Sequence, residues 1–269
     1  MPNIMFWNVR DGAALSQVPV ACFENSIDLL ILAEDQSSAG YVTSLLNSIG
    51  GGDVYFEFAP VRSDIRFYCK NPGSLSMLAD EGERVSIRSY SYGGGESIII
   101  TAVHLRSKLR SSEDDQYQIA RMLRLAIDKA EDSVGHSRSI VIGDFNMNPF
   151  EKGIVSHDAL HGVMTKRLAK QKSRIFNGVK SDFFYNPMWN FLGDETKGPP
   201  GTYFYNAGGS VNYYWNIFDQ VLIRPELLDG HDSDSVQIIS NIGGSSLVEN
   251  DRISSSSDHL PIVYRLSLR

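Results

Sequence analysis

The chain has 269 residues, 42% of them hydrophobic, which suits a sizeable buried core and excludes a disordered, collagen-like or coiled-coil protein. Its 25 Lys and Arg stand against 32 Asp and Glu, a net charge of −7 with a pI near 5.4, so the molecule as a whole is not drawn onto a polyanion. Cys22 and Cys69 are too few for a disulfide framework or a zinc cluster, and with no export-type leader and no apolar window of ~18 residues, reduced thiols in a cytoplasmic protein are expected.

From the N-terminus, residues 4–7 and 29–33 are apolar runs too short for buried helices and read as strands. Tyr41, Val42, Leu45, Leu46 and Ile49 then keep helical spacing, behind Ser37 and Ser38 as cap candidates and ahead of Gly50-Gly51-Gly52 as a stop. Residues 54–58 and 98–103 predict further strands. Ile119, Met122, Leu123, Ala126, Ile127 and Ala130 predict a second helix, capped by Ser111 or Ser112. Strands follow at residues 140–142, 221–223 and 262–264. Residues 150–216 are the least regular, carrying Gly198-Pro199-Pro200-Gly201 and Gly208-Gly209, and read as a loop-rich insertion rising from one rim. The expected fold is a single α+β domain over residues 1–269, two mixed sheets packed face to face with helices outside.

Polar residues stand where these strands end. Asn8 follows the first run, Glu34 the second and His104 the run at 98–103. Asp144 and Asn146 follow Gly143, Asp219 lies in the apolar stretch 217–223, and Asp258-His259 precedes the last strand. Each fragment alone has a plainer use: Asp144 can cap a turn, Glu34 a helix, and His104 can be a satisfied histidine. Asp219 resists that treatment, because an unpaired carboxylate inside a buried strand costs several kcal/mol. It calls for a partner such as His259.

Phosphodiester hydrolysis needs such a collection. Hard Mg²⁺ or Mn²⁺ takes oxygen ligands, for which Glu34 is the best candidate with Asn8 and Asp258 beside it. Asp144 is suited to orienting water and Asn146 to holding phosphate, while His259, its tautomer set by Asp219, can donate to a phosphoryl oxygen or leaving group.

The order Trp-Asn, Glu, His-Leu, Gly-Asp-Phe-Asn, Asp-Gln-Val-Leu, Ser-Asp-His-x-Pro between positions 7 and 261 resembles the endonuclease/exonuclease/phosphatase superfamily. That group includes DNase I-like nucleases, abasic-site endonucleases, inositol phosphatases and neutral sphingomyelinases. The resemblance covers essentially the whole chain and implies a four-layer α/β sandwich with a Mg²⁺- or Mn²⁺-dependent phosphoesterase site at one end. It implies that Asn8, Glu34 and Asp258 lie on the metal side and that His104 contacts phosphate or leaving group. It also implies that Asp144 and Asn146 position water and phosphate, and that Asp219 orients His259. Many members carry a Gly-Val-Ala strand where this chain reads Asp64-Ile65-Arg66-Phe67-Tyr68-Cys69-Lys70, leaving open which of Arg66, Tyr68 or Lys70 faces substrate. The Trp-Cys-Asp-Arg signature of inositol-polyphosphate 5-phosphatases is replaced by Trp215-Asn216-Ile217-Phe218-Asp219-Gln220, which lowers an inositol reading.

Between Ala159 and Ser181 no acid occurs, while Lys166, Arg167, Lys170, Lys172, Arg174 and Lys180 do. With Arg106 and the aromatic residues that follow the island, these are expected to bind a nucleic-acid backbone while bases stack, or else to form a solvated helical face. A nuclease acting on DNA or RNA is therefore the leading expectation. A phosphatase or phosphodiesterase on a lipid or small molecule is the second, and a silent binding module the third.

Overall fold

Within the strand Ser97–His104, Ile98, Ile100 and Ala102 enter one buried cluster while Ile99 and Val103 enter another. The same division separates Ile140 and Ile142 from Val141, and Val221 and Ile223 from Leu222. Strands buried on alternate faces must have a layer on each side. The molecule, described from a computed structural model over residues 2–49, 54–58, 64–80, 82–92, 95–109, 111–206 and 208–267, supplies both layers.

Among those residues a six-stranded sheet runs Val236–Ile238, Ile262–Arg265, Asn3–Asn8, Leu29–Ala33, Ile65–Cys69, Phe56–Phe58 in spatial order. A seven-stranded sheet runs Leu75–Asp80, Val85–Ser91, Ser97–His104, Ser139–Asp144, Asp219–Ile223, Phe184–Tyr185, Gly162–Val163. Both are mixed: Asn3–Asn8 lies parallel to Leu29–Ala33, and Ser97–His104 parallel to Ser139–Asp144. Helices Val18–Glu24 and Tyr41–Ser48 bury Val18, Ala21, Val42 and Leu46 in the cluster of the first sheet. Helix Glu113–Val134 buries Leu123, Ile127 and Ala130 against the outer face of the second. The result is the expected α+β sandwich. No described helix is long and apolar enough to cross a membrane, and Cys22 and Cys69 are buried free thiols.

Local expectations met different outcomes. Ser112 caps the long helix reciprocally with Asp115, accepting from its N–H at 3.2 Å while the Asp115 carboxylate accepts from Ser112 N–H at 2.9 Å. The shorter helix is capped by neither serine: it starts after Gly40 at φ 77°, and Ser37 N–H is instead taken by Asp35. Its proposed stop, Gly50 to Gly52, lies outside the described residues. Residues 150–216 contribute more than loops, since Gly162–Val163 and Phe184–Tyr185 extend the second sheet.

Gly143 lies in the central strand of the second sheet at φ 149°, and a Cβ there would stand 2.0 Å from the Val103 carbonyl oxygen. Only glycine lets the two strands approach so closely. Gly143→Ala is expected to destabilise the protein by ~3 kcal/mol or more, because the obstacle is backbone that cannot rotate away. Chemical denaturation of the two proteins checks this.

Candidate active site

Register brings the polar strand ends together. Asn8 and Ala33 pair at the end of the parallel strands of the first sheet, and Glu34 comes next. Across the second sheet His104 aligns with Asp144, and Asp144 with Asp219. The antiparallel strand Ile262–Arg265 begins at this same rim, because Ile262 pairs with Phe6, so His259 arrives there as well. Half the residues therefore hang from each sheet.

The side chains meet across the divide. His259 Nδ1 and Asp219 Oδ2 are 2.8 Å apart and both residues are buried. His259 Nε2 lies 3.9 Å from Asp144 Oδ2, and His104 Nε2 is 4.0 Å from that oxygen and 3.2 Å from Glu34 Oε1. Asn8 Nδ2 donates to Glu34 Oε1 at 3.1 Å and lies 3.5 Å from Asp144 Oδ2. Asn146 holds Asp144 twice, through its backbone N–H at 2.8 Å and its side-chain amide at 2.9 Å. Glu34 and Asn146 adopt φ 56° and 51°, left-handed backbone that non-glycine residues enter at a cost of ~1–3 kcal/mol. Their tight turns aim both side chains back over the rim.

Electrostatics follow the contacts. The His104 hydrogen bond holds Glu34 down at about 2; burial opposes it, while the Asn8 amide and the two imidazoles assist. For His259 burial favours the neutral ring, but the Asp219 and Asp144 carboxylates, the hydrogen bond to Asp219 and the nearby Asp258 outweigh it and raise its pKa well above the ordinary imidazole range. Burial pushes Asp219 upward, and the His259 charge and hydrogen bond act against that shift. Imidazolium and carboxylate thus favour each other's charge while burial works against both.

Asn8, Glu34, His104, Asp144 and Asn146 are accordingly one bonded group, and the His259–Asp219 pair faces it across the 3.9 Å between His259 Nε2 and Asp144 Oδ2. Asp258 flanks it, half-buried, with its charge felt by His259 and Tyr203. Arg106 is exposed two residues past His104, in a groove between residues 82–85 and the long helix. The basic island lies elsewhere in the fold. Asp219 opens its strand at the site and Ile223 closes it at the other rim, where residues 225–230 follow. There Lys170 pairs with Asp229 at 3.1 Å and Lys172 with Glu226 at 3.6 Å, while Lys166 donates to the carbonyl of His231. Arg167 is exposed on the short helix Lys166–Ala169, and Arg174 lies over the ring of Phe176 in an exposed hairpin. Lys170 and Lys172 are thus engaged by acids distant in sequence, beyond the strand end opposite Asp144.

Sequence reasoning passed over residues that hold the site from behind. Trp7 Nε1 donates to the His259 carbonyl at 3.0 Å, and the Ser257 hydroxyl donates to the Asn8 carbonyl at 2.7 Å while accepting from His259 N–H at 3.0 Å. Tyr203 packs its ring 4.7 Å from that of His259. Ser257 was visible as part of Ser-Asp-His-x-Pro, and Tyr203 among the aromatic residues after the island, where it was expected to stack on bases and not on His259.

A scan of known protein-family profiles finds no match to the chain, and a search of curated proteins finds none. Solved structures do match. An endonuclease/exonuclease/phosphatase family protein from Leptotrichia buccalis superposes with a TM-score of 0.63 at 12% identity over 100% of both chains. Truncated Caenorhabditis elegans TDP2 gives 0.57 at 17% identity over 97% of this chain and 95% of that one, and the 3′ phosphatase NExo from Neisseria 0.57 at 15% over 100% of both. The chain has the endonuclease/exonuclease/phosphatase fold.

Whether this site suits a cation is decided by its donors. Asp144, Asp219 and His259 offer ligand atoms within 4.8 Å of one another. Asp219 Oδ2 is already committed to His259 Nδ1, and all three residues are buried. Glu34 and Asp144 instead present oxygens to the same two donors, Asn8 Nδ2 and His104 Nε2. An opening lined by carboxylate oxygens fits a hard ion such as Mg²⁺ or Mn²⁺. Asn8, expected as a ligand, has Oδ1 occupied by the Arg10 N–H at 3.1 Å and acts on this opening by orienting Glu34.

Proposed function

We propose that the protein is a divalent-metal-dependent phosphoester hydrolase whose leading substrate is a phosphodiester of DNA or RNA. The observation that carries the reading is the buried His259–Asp219 pair facing Asp144, with Glu34 across the same opening. Mg²⁺ or Mn²⁺ held by Glu34, with Asp258 alongside, would neutralise charge on the phosphoryl oxygens and leaving group. Asp144, fixed by Asn146, accepts a proton from the attacking water. Protonated His259 donates from Nε2 to a phosphoryl oxygen, and Asp219 fixes which nitrogen faces outward. His104, beside both Glu34 and Asp144, is suited to contact phosphate or leaving group.

Nucleic acid is favoured by exposed aromatic rings in the segments flanking the site, among them Phe150, Tyr205 and Tyr213, on which bases can stack. Similar folds point the same way, since one matching structure is Danio rerio TDP2 with a single-strand DNA product and another is NExo with a product DNA hairpin. The pairing of Lys170 and Lys172 with acids favours the second reading, a phosphatase or phosphodiesterase on a small molecule or lipid. A panel of plasmid, single strands, RNA, inositol phosphates and a generic phosphodiester, run with Mg²⁺, Mn²⁺ and EDTA beside Glu34→Ala, tests both. Hydrolysis that ignores Glu34→Ala or EDTA would sink the proposal.

One consequence concerns the island directly. Replacing Lys170, Lys172 and Arg174 by Gln is expected to leave the salt dependence of oligonucleotide binding unchanged, since residues that follow phosphates each steepen the slope by up to ~0.7–0.9. A clearly flatter slope in the triple variant would return the island to the substrate path.

A further inference from the structure

The basic island takes no part in the site described above, and its second half builds a hairpin that belongs to neither large sheet. Ser173–Phe176 runs antiparallel to Val179–Asp182, and Asn177 and Gly178, at φ 49° and 78°, make the two-residue turn that this pairing needs. Its base is fastened to the body: Arg124 Nη1 donates to the Asp182 carbonyl at 3.0 Å, and Phe183 N–H to that of Lys172 at 2.7 Å. Its tip stands in solvent. Ile175 is 76% exposed, Val179 59% and Phe176 43%.

Residues opposite each other in the register share a face, so Phe176 and Val179 lie on one side of the hairpin while Ile175 lies on the other, beside Lys180. A hairpin that covers a core buries one face and keeps the other polar. Apolar side chains on both faces of an exposed tip suit surroundings that are apolar on every side. Cations frame that tip. Arg174 and Lys180 flank it, Arg167, Lys170 and Lys172 precede it, and no acid occurs from residue 159 to 181. Arg167 is exposed, and Arg174 has no acid paired to it among the described residues. Lys170, Lys172 and Lys180 meet Asp229, Glu226 and Asp182 in solvent-accessible contacts, which contribute little and exchange readily for another anion.

An apolar tip framed by cations matches the surface of an anionic bilayer, where the tip enters the headgroup boundary and the cations meet lipid phosphate. Nucleic acid fits less well. Ile175 and Val179 have no ring on which a base could stack, and the Phe176 ring is taken up by His157 at 4.4 Å and by Arg174. The rest of the molecule carries the excess of acid behind the net charge of −7 and is repelled by such a surface, so contact is confined to the hairpin and its approach. We infer that the hairpin Ser173–Asp182 docks the protein onto anionic phospholipid membrane, with Ile175, Phe176 and Val179 entering the boundary and Arg174 and Lys180 pairing with lipid phosphates. The unpaired outer edges of the two strands hold it at that boundary, because backbone without partners is not tolerated in hydrocarbon. This docking is independent of the function proposed above.

Flotation of the full chain with vesicles in EDTA tests it, one set of phosphatidylcholine alone and one of equal parts phosphatidylcholine and phosphatidylserine. Binding is expected to the mixed vesicles only, and it should weaken as salt is raised. Arg174→Gln with Lys180→Gln should weaken it by roughly 25-fold, about fivefold for each cation. Ile175→Ser with Val179→Ser should weaken it by about tenfold or more, while Ile175→Leu with Val179→Ile should bind like the wild type. Insertion has its own readout: fluorescence of Ile175→Trp should be quenched by mixed vesicles brominated in their acyl chains, beyond any quenching of the native Trp7, Trp189 and Trp215. If the double serine variant melts below the wild type, Ile175→Ser alone takes its place. No binding to mixed vesicles, equal binding to phosphatidylcholine alone, full binding by the serine variant, or an unquenched Ile175→Trp would each overturn the assignment. A serine variant that loses affinity for an oligonucleotide but keeps it for vesicles would overturn it too, and give the hairpin to nucleic acid.

Discussion

Replacing His259 by Ala is expected to lower kcat by ~10²–10⁴-fold while KM changes far less, the range typical of a lost general acid. Nε2 faces the opening 3.9 Å from Asp144 Oδ2, where a phosphoryl oxygen can be received, while Nδ1 is held by Asp219. Charge on the phosphoryl oxygens grows toward the transition state, so an imidazolium aimed there acts more on the rate than on binding. Asp219→Asn should fall in the same range, since an amide can accept from Nδ1–H but no longer holds the ring charged. Steady-state kinetics on both variants check this. If Asp219→Asn unfolds the protein while His259→Ala keeps full turnover, the pair is structural.

The second large effect is at Glu34. Glu34→Gln should abolish measurable divalent binding by calorimetry and reduce hydrolysis to background, because the amide loses the charge that the opening offers a cation. A readout without metal comes from acid stability in EDTA. Glu34 is held at about 2, below its ordinary 4.5, so its ionised contacts stabilise the fold above pH ~4.5 and that contribution is lost as pH falls toward ~2. The wild type should therefore lose more of its melting temperature than Glu34→Gln does between pH 5 and 3. Equal losses would mean that the His104 and Asn8 contacts to Glu34 contribute nothing to folding.

The strands most easily read from sequence were those whose both faces are buried, such as Leu29–Ala33, because two-sided burial demands an unbroken apolar run. Val85–Ser91 escaped notice: its Ser-Ile-Arg-Ser-Tyr-Ser stretch looks polar, yet Ser86, Arg88 and Ser89 are buried, and Arg88 Nε bonds the Ser86 hydroxyl at 3.0 Å. Helix Val18–Glu24 was too short to show its period and carries Pro19, tolerated only because it stands in the first turn. The site was legible for a different reason. Strand ends at one rim converge automatically, so a polar residue at each strand end already implied a cluster. What the order of residues could not reveal was pairing across long separations. Lys170 and Lys172 form an acid-free stretch in the chain, but Asp229 and Glu226 reach them from more than fifty positions away in the fold.

The division of the site between two sheets also sets when it can exist during synthesis. Trp7 and His259, bonded at 3.0 Å, are 252 positions apart, and Ser257 reaches the Asn8 carbonyl across 249. At translation rates of ~5–20 residues per second, a nascent chain would carry Asn8, Glu34 and Asp144 for seconds before residues 257–265 leave the ribosome. Throughout that interval the acidic residues stand without the imidazole and the closing strand that complete them. The proposed chemistry therefore waits on residues 257–265, whichever part of the chain folds first.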